Sequence, residues 1–388
     1  MRGITAKRAG VIAAVAGVAA ASIVVSGSLN NSSSAAAGWA TAQSAAKGGG
    51  MSSLVAAANK EGHLTLIADP LTWANYGGVI KAFEKKYPKI KVTDEDQNDT
   101  SAQEIQAIKS DKGESTEPDA VDVGGSVAQP AAVEGDFAPY KVATWADIPG
   151  TVKDSGGLYY GDYQGVITIA CETAKLPSGF KCPTTIKGLL KAPKNSVAIG
   201  GSPLAAGDAF GAVYAAALAN GGSLNNIKPG IDFFQKLDNA GVFNKTQVTE
   251  QSVTSGATPI TLDWDYNDAS FAPAIVKAVG GKVVEHVPTD GVYGGPYFQA
   301  ISRYATHPAA ARLWEEFLYS HAKNGGQNKW LAGAAYPIEL KSMLKDKTVN
   351  KASYKKLPPI NGSVKVASNA QITKATNVLT NDWANEVK

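Results

Sequence analysis

Carboxylate and aromatic side chains follow the first predicted strand of this 388-residue chain. The alternating apolar run at 64–68 breaks at Asp69, and Trp73 and Tyr76 come shortly after it. In open α/β sheets, ligands bind beyond the carboxyl ends of the strands. Carboxylates combined with aromatic faces suit an amine or quaternary ammonium group, to which each face contributes about 0.5–2 kcal/mol. The residue types therefore indicate cation-binding chemistry.

A second acidic and aromatic group follows a later predicted strand, Pro259–Leu262. Asp263 and Asp265 are two positions apart, so both would point to the same side if the strand continued. Asp265, which lies further past the strand end, is the preferred ligand. Small residues after other strands leave backbone N–H groups accessible, and two more tyrosines follow the next strand. The complete set of predicted ligand-binding residues is Asp69, Trp73, Tyr76, Ser126, Ser202, Trp264, Asp265, Tyr266, Tyr293 and Tyr297.

Each of these candidates also has an ordinary structural explanation. Asp69 precedes a proline and could simply open a turn. The two tryptophans could be core residues, and the two serines could satisfy backbone groups in tight turns. Asp208, near a predicted helix start, is better explained as a helix cap than as a ligand.

The elements that position these residues alternate between strand and helix from about Met51 onward. Alternation of this kind predicts an α/β fold with mostly parallel strands, and 388 residues suggest two domains or lobes. A later helix, beginning at Pro308, is expected to bury Trp314 and Phe317 and to expose Arg312 and Glu315. Other predicted elements are helices at 101–109, 184–190, 207–220 and 269–279 and strands at 120–123 and 165–170.

The N-terminus has the features of an export signal. Basic residues precede the apolar run Ala9–Val25, and Ala35–Ala37 offers a cleavage site. An uncleaved anchor helix is the alternative, but a membrane span needs about 20 apolar residues, so cleavage is favoured. Residues 1–37 are thus predicted as signal peptide or anchor. The Ser-, Ala- and Gly-rich composition that continues from it predicts a flexible linker at 38–58.

Cys171 and Cys182 are the only cysteines and are predicted to form a disulfide in an oxidising compartment. The four histidines have no recognisable metal-ligand spacing, so neither a metal nor a cofactor is expected. Lys+Arg 37 against Asp+Glu 34 argues against a nucleic-acid surface. The chain has no G-x-S-x-G elbow, phosphate loop or dinucleotide motif, so an exported α/β hydrolase is only a minor alternative to a binding protein.

Seven segments, taken in chain order, resemble the solute-binding proteins of bacterial ABC importers with the type II periplasmic-binding-protein fold. The resemblance is strongest to the branch that handles iron, thiamine, polyamines and aminoalkylphosphonates. They include LTLIADPLTWANYGGVIKAFEKKYPKIKV and GATPITLDWDYNDA, and together they cover nearly the whole mature chain. The segments lie at 64–92, 117–126, 159–171, 197–222, 256–269, 290–302 and 307–338.

The resemblance implies two α/β lobes joined by two crossover strands at a hinge, with the solute held between the lobes. The implied first lobe is discontinuous, at 59–163 and 294–388, and the second lobe spans 164–293. The crossings are expected near Gly161–Val166 and Val287–Gly295. The implied partners are a small-molecule solute and a membrane ABC permease, served by an exported monomer that is extracellular, periplasmic or held at the cell surface.

The expected solute is a small amine-bearing or zwitterionic molecule. An oxyanion could use helix N-termini and Gly-rich amides, but only four arginines are present to clamp it. Ferric-binding relatives use a Tyr-Tyr pair late in the chain. The only adjacent pair here, Tyr159-Tyr160, falls at the first crossing, which disfavours direct ferric capture.

Overall fold

The computed structural model describes residues 38–357 and 364–388. The apolar run Ala9–Val25 and the Ala35–Ala37 cleavage site lie outside the described residues. Within the described ranges, no helix combines the length and the apolar character needed to cross a membrane.

Strands and helices alternate as expected for an α/β protein. The strands are β1 His63–Ile67, β2 Lys91–Glu95, β3 Ala120–Gly124, β4 Phe137–Ala138, β5 Tyr160–Glu172, β6 Val197–Ala198, β7 Ile260–Trp264, β8 Val283–His286, β9 Gly294–Ser302 and β10 Tyr336–Pro337. The main helices are α1 Met51–Glu61, α2 Tyr76–Lys86, α3 Ser101–Ser110, α4 Gly125–Glu134, α5 Gly207–Ala219, α6 Lys228–Asn239, α7 Glu250–Thr254, α8 Asp265–Val279, α9 Pro308–Leu318, α10 Gly326–Ala332, α11 Leu340–Lys345, α12 Lys351–Tyr354 and α13 Asn369–Glu386. The helix predicted at 184–190 is instead a short 3-10 segment, Lys187–Lys191.

Strand pairing is mostly antiparallel, which corrects the expectation of mostly parallel strands. Parallel pairing is found for β1 with β2 and for β6 with β7. The larger sheet has the order β3-β9-β5-β7-β6, and β3, β5 and β9 pair antiparallel within it. The reason is that β5 and β9 are long strands that run back through the sheet rather than members of β-α-β units.

The 13-residue strand β5 connects two lobes. Its first half pairs with β9 from Tyr160 to Val166, and its second half pairs with β7 and β8 from Ile167 onward. Gly165 lies at the change-over, where an added Cβ would come within 2.6 Å of the Tyr266 ring. A glycine is therefore required for the two lobes to pack closely at this hinge.

The segment 38–58, predicted as a flexible linker, is instead packed against the protein. Residues 38–41 are helical, α1 begins at Met51, and the Trp39 side chain is buried. Arg312 of α9 donates hydrogen bonds to the carbonyl oxygens of Ala40 and Ala42, at 2.9 and 2.8 Å. The segment thus binds through its backbone, which a Ser-, Ala- and Gly-rich composition does not reveal.

The inward face of α9 is confirmed for Trp314 and Phe317, both of which are buried. The expectation that Arg312 and Glu315 are exposed is wrong, because both are buried as well. Arg312 is covered by residues 40–42, and its burial lowers the pKa of the guanidinium to about 10. Arg312 can be buried because the neighbouring segment accepts its hydrogen bonds.

The predicted disulfide between Cys171 and Cys182 is present, and it joins the end of β5 to the loop that follows. Replacing both cysteines by Ser is expected to reduce the free energy of unfolding by about 3 kcal/mol, because the unfolded chain gains the freedom of the opened loop. Urea denaturation of the purified double variant would measure this. Reductant should produce the same loss in the wild type and none in the variant; equal stability of the two proteins would contradict the prediction.

Candidate ligand-binding cleft

A cleft of about 510 Å³ opens between the two lobes and is strongly acidic. One wall comes from the loops after β1 and β2, from α3 and from β3; the other comes from the region of α5, from α7 and from the end of β7. Among the lining residues that the structure describes, there is no Lys, Arg or His. The carboxylates that define this acidic cleft are Asp69, Asp99, Glu104, Asp122, Asp208, Glu250 and Asp263.

Asp122 lies at the centre of the first wall, within β3. Its Oδ2 accepts hydrogen bonds from the Tyr76 and Tyr163 hydroxyls, at 2.8 and 2.5 Å. Its Oδ1 is buried and has no hydrogen-bond partner within the described residues. Burial raises the pKa of Asp122 to about 7. One carboxylate oxygen is therefore fixed by tyrosines, while the other is left without a hydrogen bond in the described part of the chain.

Two further carboxylates border Asp122. Glu104 of α3 accepts a hydrogen bond from the Asp122 backbone N–H at 3.1 Å, and burial, followed by the nearby Asp122 charge, raises its pKa well above the usual range. Asp69 lies 3 % exposed after β1, and its pKa is also raised, first by burial and then by Asp94 and Asp122. The described lining of this wall includes no cationic side chain, so burial and mutual repulsion both disfavour the ionised forms.

The loop after β1 has an unusual backbone. Ala68, Ala74 and Asn75 have positive φ angles of 61°, 43° and 70°. Non-glycine residues seldom adopt this left-handed region, and residues that do are concentrated at binding sites. The loop thus holds Asp69 and Trp73 in a defined position at the cleft.

The opposite wall presents Asp208 and Asp263. The Oδ1 of Asp208, in the first turn of α5, accepts a hydrogen bond from Ala209 N at 2.8 Å, and burial raises its pKa to about 6. The Oδ1 of Asp263 accepts from Trp264 N at 2.6 Å and from Asn267 Nδ2 at 3.1 Å. The pKa of Asp263 is raised by burial and then by the negative charge of Asp208.

Aromatic rings lie beside the carboxylates. The Trp73 ring packs edge-on against the Tyr266 and Tyr297 rings, with centroids 5.7 and 5.3 Å away. Its Nε1 donates a hydrogen bond to the Tyr163 hydroxyl at 2.7 Å. Since Trp73 and Tyr297 line the cleft, an organic cation would meet both carboxylate oxygens and aromatic faces.

Three residues of the predicted ligand-binding set line the acidic cleft, namely Asp69, Trp73 and Tyr297. Tyr76 and Tyr266 lie just behind them, where Tyr76 holds Asp122 and Tyr266 supports Trp73. These residues therefore shape the site without forming its surface.

The other predicted ligands lie away from the cleft lining. Asp265 begins α8 and accepts hydrogen bonds from the N–H groups of Val166 and Tyr266, so its carboxylate ties this helix to β5. Tyr293 is buried in a ring stack with Tyr214, at 4.8 Å. Hydrogen bonds within the fold thus occupy one oxygen of Asp265, whose Oδ2 is buried without a partner among the described residues, and packing occupies the Tyr293 ring.

Trp264 and the two serines also lie outside the lining. Trp264 is buried beside a separate cavity of about 20 Å³. Ser126 is buried in the first turn of α4, and the exposed Ser202 accepts a hydrogen bond from Leu204 N. Ser202 thus stabilises a local turn, and Trp264 contributes to the packing of the interior.

Sequence reasoning did not select Glu104 and Asp122 as ligands, and only Asp122 left a signal. Asp122 stands between Val121 and Val123 in an otherwise apolar strand, whereas Glu104 stands between Gln103 and Ile105 on a mostly polar helix. A carboxylate within an apolar run is seldom buried without a partner. Such isolated acids are therefore a better guide to this cleft than the residues after the strand ends.

Two hydrogen bonds join the lobes at the rim of the cleft. The Thr72 hydroxyl donates to Glu250 Oε2 at 2.9 Å, and the Ser270 hydroxyl donates to the Thr72 carbonyl oxygen at 2.6 Å. The loop after β1 is thereby connected to α7 and α8 across the opening.

The cleft carboxylates are spread out rather than gathered around one point. Within the described residues, they form no group of three ligand atoms that lie within 4.8 Å of one another. This spacing fits a ligand with distributed positive charge better than a single metal ion.

Comparison with known proteins places the geometry in context. A family model described as bacterial extracellular solute-binding protein matches residues 74–325. No curated protein sequence gives a significant match. Similar solved structures are those of two-lobed periplasmic binding proteins, whose likeness to this chain shows the shared fold.

Three of these structures illustrate the range. The periplasmic binding protein AfuA from Actinobacillus pleuropneumoniae, with fructose-6-phosphate bound, has a TM-score of 0.63 at 19% identity, covering 84% of this chain and 98% of its own. A periplasmic thiamin binding protein has a TM-score of 0.61 at 16% identity, covering 84% and 96%. Iron-bound HitA from Pseudomonas aeruginosa has a TM-score of 0.54 at 18% identity, covering 83% and 99%.

Proposed function

The chain belongs to the bacterial extracellular solute-binding protein family, whose members deliver solutes to ABC importers, and from this premise we propose that its acidic cleft captures a small amine-bearing cation. The proposed solute is of the polyamine or thiamine class. Capture takes place outside the cytoplasm, and the protein acts as a monomer that presents the solute to a membrane permease.

The observation that carries this proposal is the acidic composition of the cleft lining, which combines seven carboxyl groups with no basic residue among those described. Two like charges 5 Å apart repel by about 3 kcal/mol at an effective dielectric constant of 20. A bound cation replaces this repulsion with attraction. The same lining disfavours a sugar phosphate or a simple oxyanion, which would add negative charge.

The fold neighbours bind different kinds of solute, so the lining must decide between them. A phosphonate or phosphate group needs guanidinium, ammonium or free N–H donors, and the described lining supplies no cationic side chain. A zwitterion such as an aminophosphonate is therefore a weaker candidate than a cation without an acidic group. A bare ferric ion is disfavoured by the spread of the carboxylates.

Capture is proposed to close the two lobes around the solute. The lobes in this proposal span 59–163 with 294–388, and 164–293. β5 and the segment leading into β9 act as the hinge, and the Thr72 bonds to Glu250 and Ser270 hold the closed form.

A thermal-shift screen tests the proposed function. Putrescine, spermidine, choline, thiamine, 2-aminoethylphosphonate, sulfate, phosphate, fructose-6-phosphate and ferric citrate would each be titrated against the exported form of the chain. A ligand at 100 times its Kd adds about 2.7 kcal/mol to the stability of the folded state. We expect stabilisation by one or more amines; stabilisation by an oxyanion alone would overturn the proposal.

Trp73→Ala is expected to weaken binding of the amine found in that screen by about 2- to 30-fold, which corresponds to the loss of one aromatic face. Calorimetric titration of wild type and variant would measure the change. Trp145→Ala provides a matched control. The Trp145 ring lies next to the ammonium groups of Lys141 and Lys153, as the Trp73 ring is proposed to lie next to the amine, but it is outside the acidic cleft. Equal affinities of the Trp73 variant and the wild type would remove this ring from the site.

A further inference from the structure

We propose that Asp147, His321 and Glu339 form a binding site for a divalent transition-metal ion, separate from the acidic cleft. The three residues come from different parts of the chain: the loop before β5, the turn after α9 and the residue that precedes α11. None of them lines the cleft. Their ligand atoms all lie within 4.8 Å of one another.

The buried carboxylate of Glu339 is the strongest indication of a ligand. Its side chain is fully buried, and Oε2 lies 2.8 Å from His321 Nε2. Oε1 is also buried and accepts no well-formed hydrogen bond within the described residues, although the Thr144 hydroxyl lies near the carboxylate. A buried carboxylate oxygen without a partner is costly, and a metal ion beside it would supply the missing interaction.

Neighbouring groups already hold the three residues in place. The Ser342 hydroxyl donates to Asp147 Oδ1 at 2.9 Å, and the Glu339 N–H donates to Gln327 Oε1 at 3.2 Å. Asn328 Nδ2 donates to the carbonyl oxygen of His321 at 3.1 Å. The Ser342 bond reaches a ligating side chain directly, as outer hydrogen bonds of metal sites do, and the other two bonds fix the backbone at Glu339 and His321.

The donor set favours Zn²⁺ or Mn²⁺. One imidazole and two carboxylates suit borderline first-row ions, whereas Ca²⁺ and Mg²⁺ prefer oxygen ligands alone. Asp147 and His321 are both partly accessible, so an ion can enter from solvent and keep one or more water ligands. A bound ion would cross-link three chain segments of one lobe.

Metal binding to the chelator-treated full protein tests this site. Zn²⁺ or Mn²⁺ is expected to bind at one equivalent per chain in calorimetric titration and to raise the unfolding temperature. Asp147→Asn, which alters a partly accessible ligand, and His321→Ala should each reduce the affinity at least 10-fold. His286→Ala is the matched control, since this histidine belongs to no group of three candidate ligands within the described residues.

Asp122→Asn separates this proposal from the proposed function, because it alters the acidic cleft and should leave metal binding unchanged. Loss of metal binding in that variant, together with retained binding in the His321 variant, would place the ion in the cleft and overturn the inference. Absence of binding to the wild type would identify the three residues as an ion pair with a neighbouring carboxylate and would equally overturn it. Absence of metal binding would leave capture of an amine unaffected, whereas an ion in the cleft would count against both proposals.

Discussion

Asp122→Asn is expected to weaken binding of the cationic solute by about 30-fold or more, because removing one partner of a buried charge pair typically costs about 2–5 kcal/mol. The amide keeps an oxygen that can accept the hydrogen bonds that Tyr76 and Tyr163 donate to the carboxylate. The substitution therefore removes a charge with little change in shape. Calorimetric titration with the best-binding amine would measure the loss.

Asp162→Asn is the matched control for this variant. Like Asp122, Asp162 is a buried carboxylate with a raised pKa. It lies in β5 and accepts hydrogen bonds from Tyr163 N and Gln299 Nε2. It does not line the acidic cleft. We expect its substitution to leave the affinity within about 3-fold of the wild type, as for a residue without ligand contact. Equal losses in both variants would show that the effect is not local to the cleft.

Affinity for the cation is expected to rise with pH between about 5.5 and 8. Burial raises the pKa of Asp122 to about 7 and that of Asp208 to about 6, so these carboxyls carry protons at the lower end of this range. A bound cation favours their ionised forms and displaces the protons. Each proton displaced changes the affinity by up to about 10-fold per pH unit.

The measurement is best made with a bis-quaternary ammonium ligand or with choline, whose charge does not titrate. Calorimetry at pH 5.5, 6.5, 7.5 and 8.5 should show affinity rising and then levelling above pH 7.5. In the Asp122→Asn variant the rise should be shallower, because one titrating group is removed. Affinity that is flat or falls with pH in the wild type would exclude these carboxyls from ligand contact.

Stability of the unliganded protein should show the opposite dependence. A carboxyl whose pKa is higher in the folded state than in the unfolded state holds a proton longer in the folded state. Its contribution to stability is therefore present at low pH and is lost as the pH rises through the folded-state pKa. Between the unfolded-state and folded-state pKa values, the free energy of unfolding falls by about 1.4 kcal/mol per pH unit for each group. Asp122→Asn should accordingly be more stable than the wild type at pH 8.

Part of the fold could be predicted from the sequence because its signals are local. The helical face around Trp314, the strand at 120–123 and the disulfide each depend on spacing within a short segment. The two-lobed architecture follows from the resemblance of ordered segments, and the family match and the structural neighbours confirm it.

The remaining features depend on contacts between distant segments. Burial of Arg312 could not be predicted, because its partners are backbone carbonyls at 40 and 42 that carry no side-chain signature. The antiparallel pairing of β5 with β9 joins residues far apart in the chain. The choice of cleft ligands had the same difficulty, since position after a strand end does not distinguish Asp265, which ties a helix to β5, from Asp263, which lines the cleft.

A direct comparison of two ligands with opposite charge tests the central claim. The amine that stabilises the protein most in the screen and a dicarboxylate of similar length would be titrated into the wild type at pH 8 by calorimetry. The acidic cleft predicts saturable binding of the amine at one per chain and no detectable binding of the dicarboxylate. Binding of the dicarboxylate or of phosphate, with no amine bound, would contradict the account.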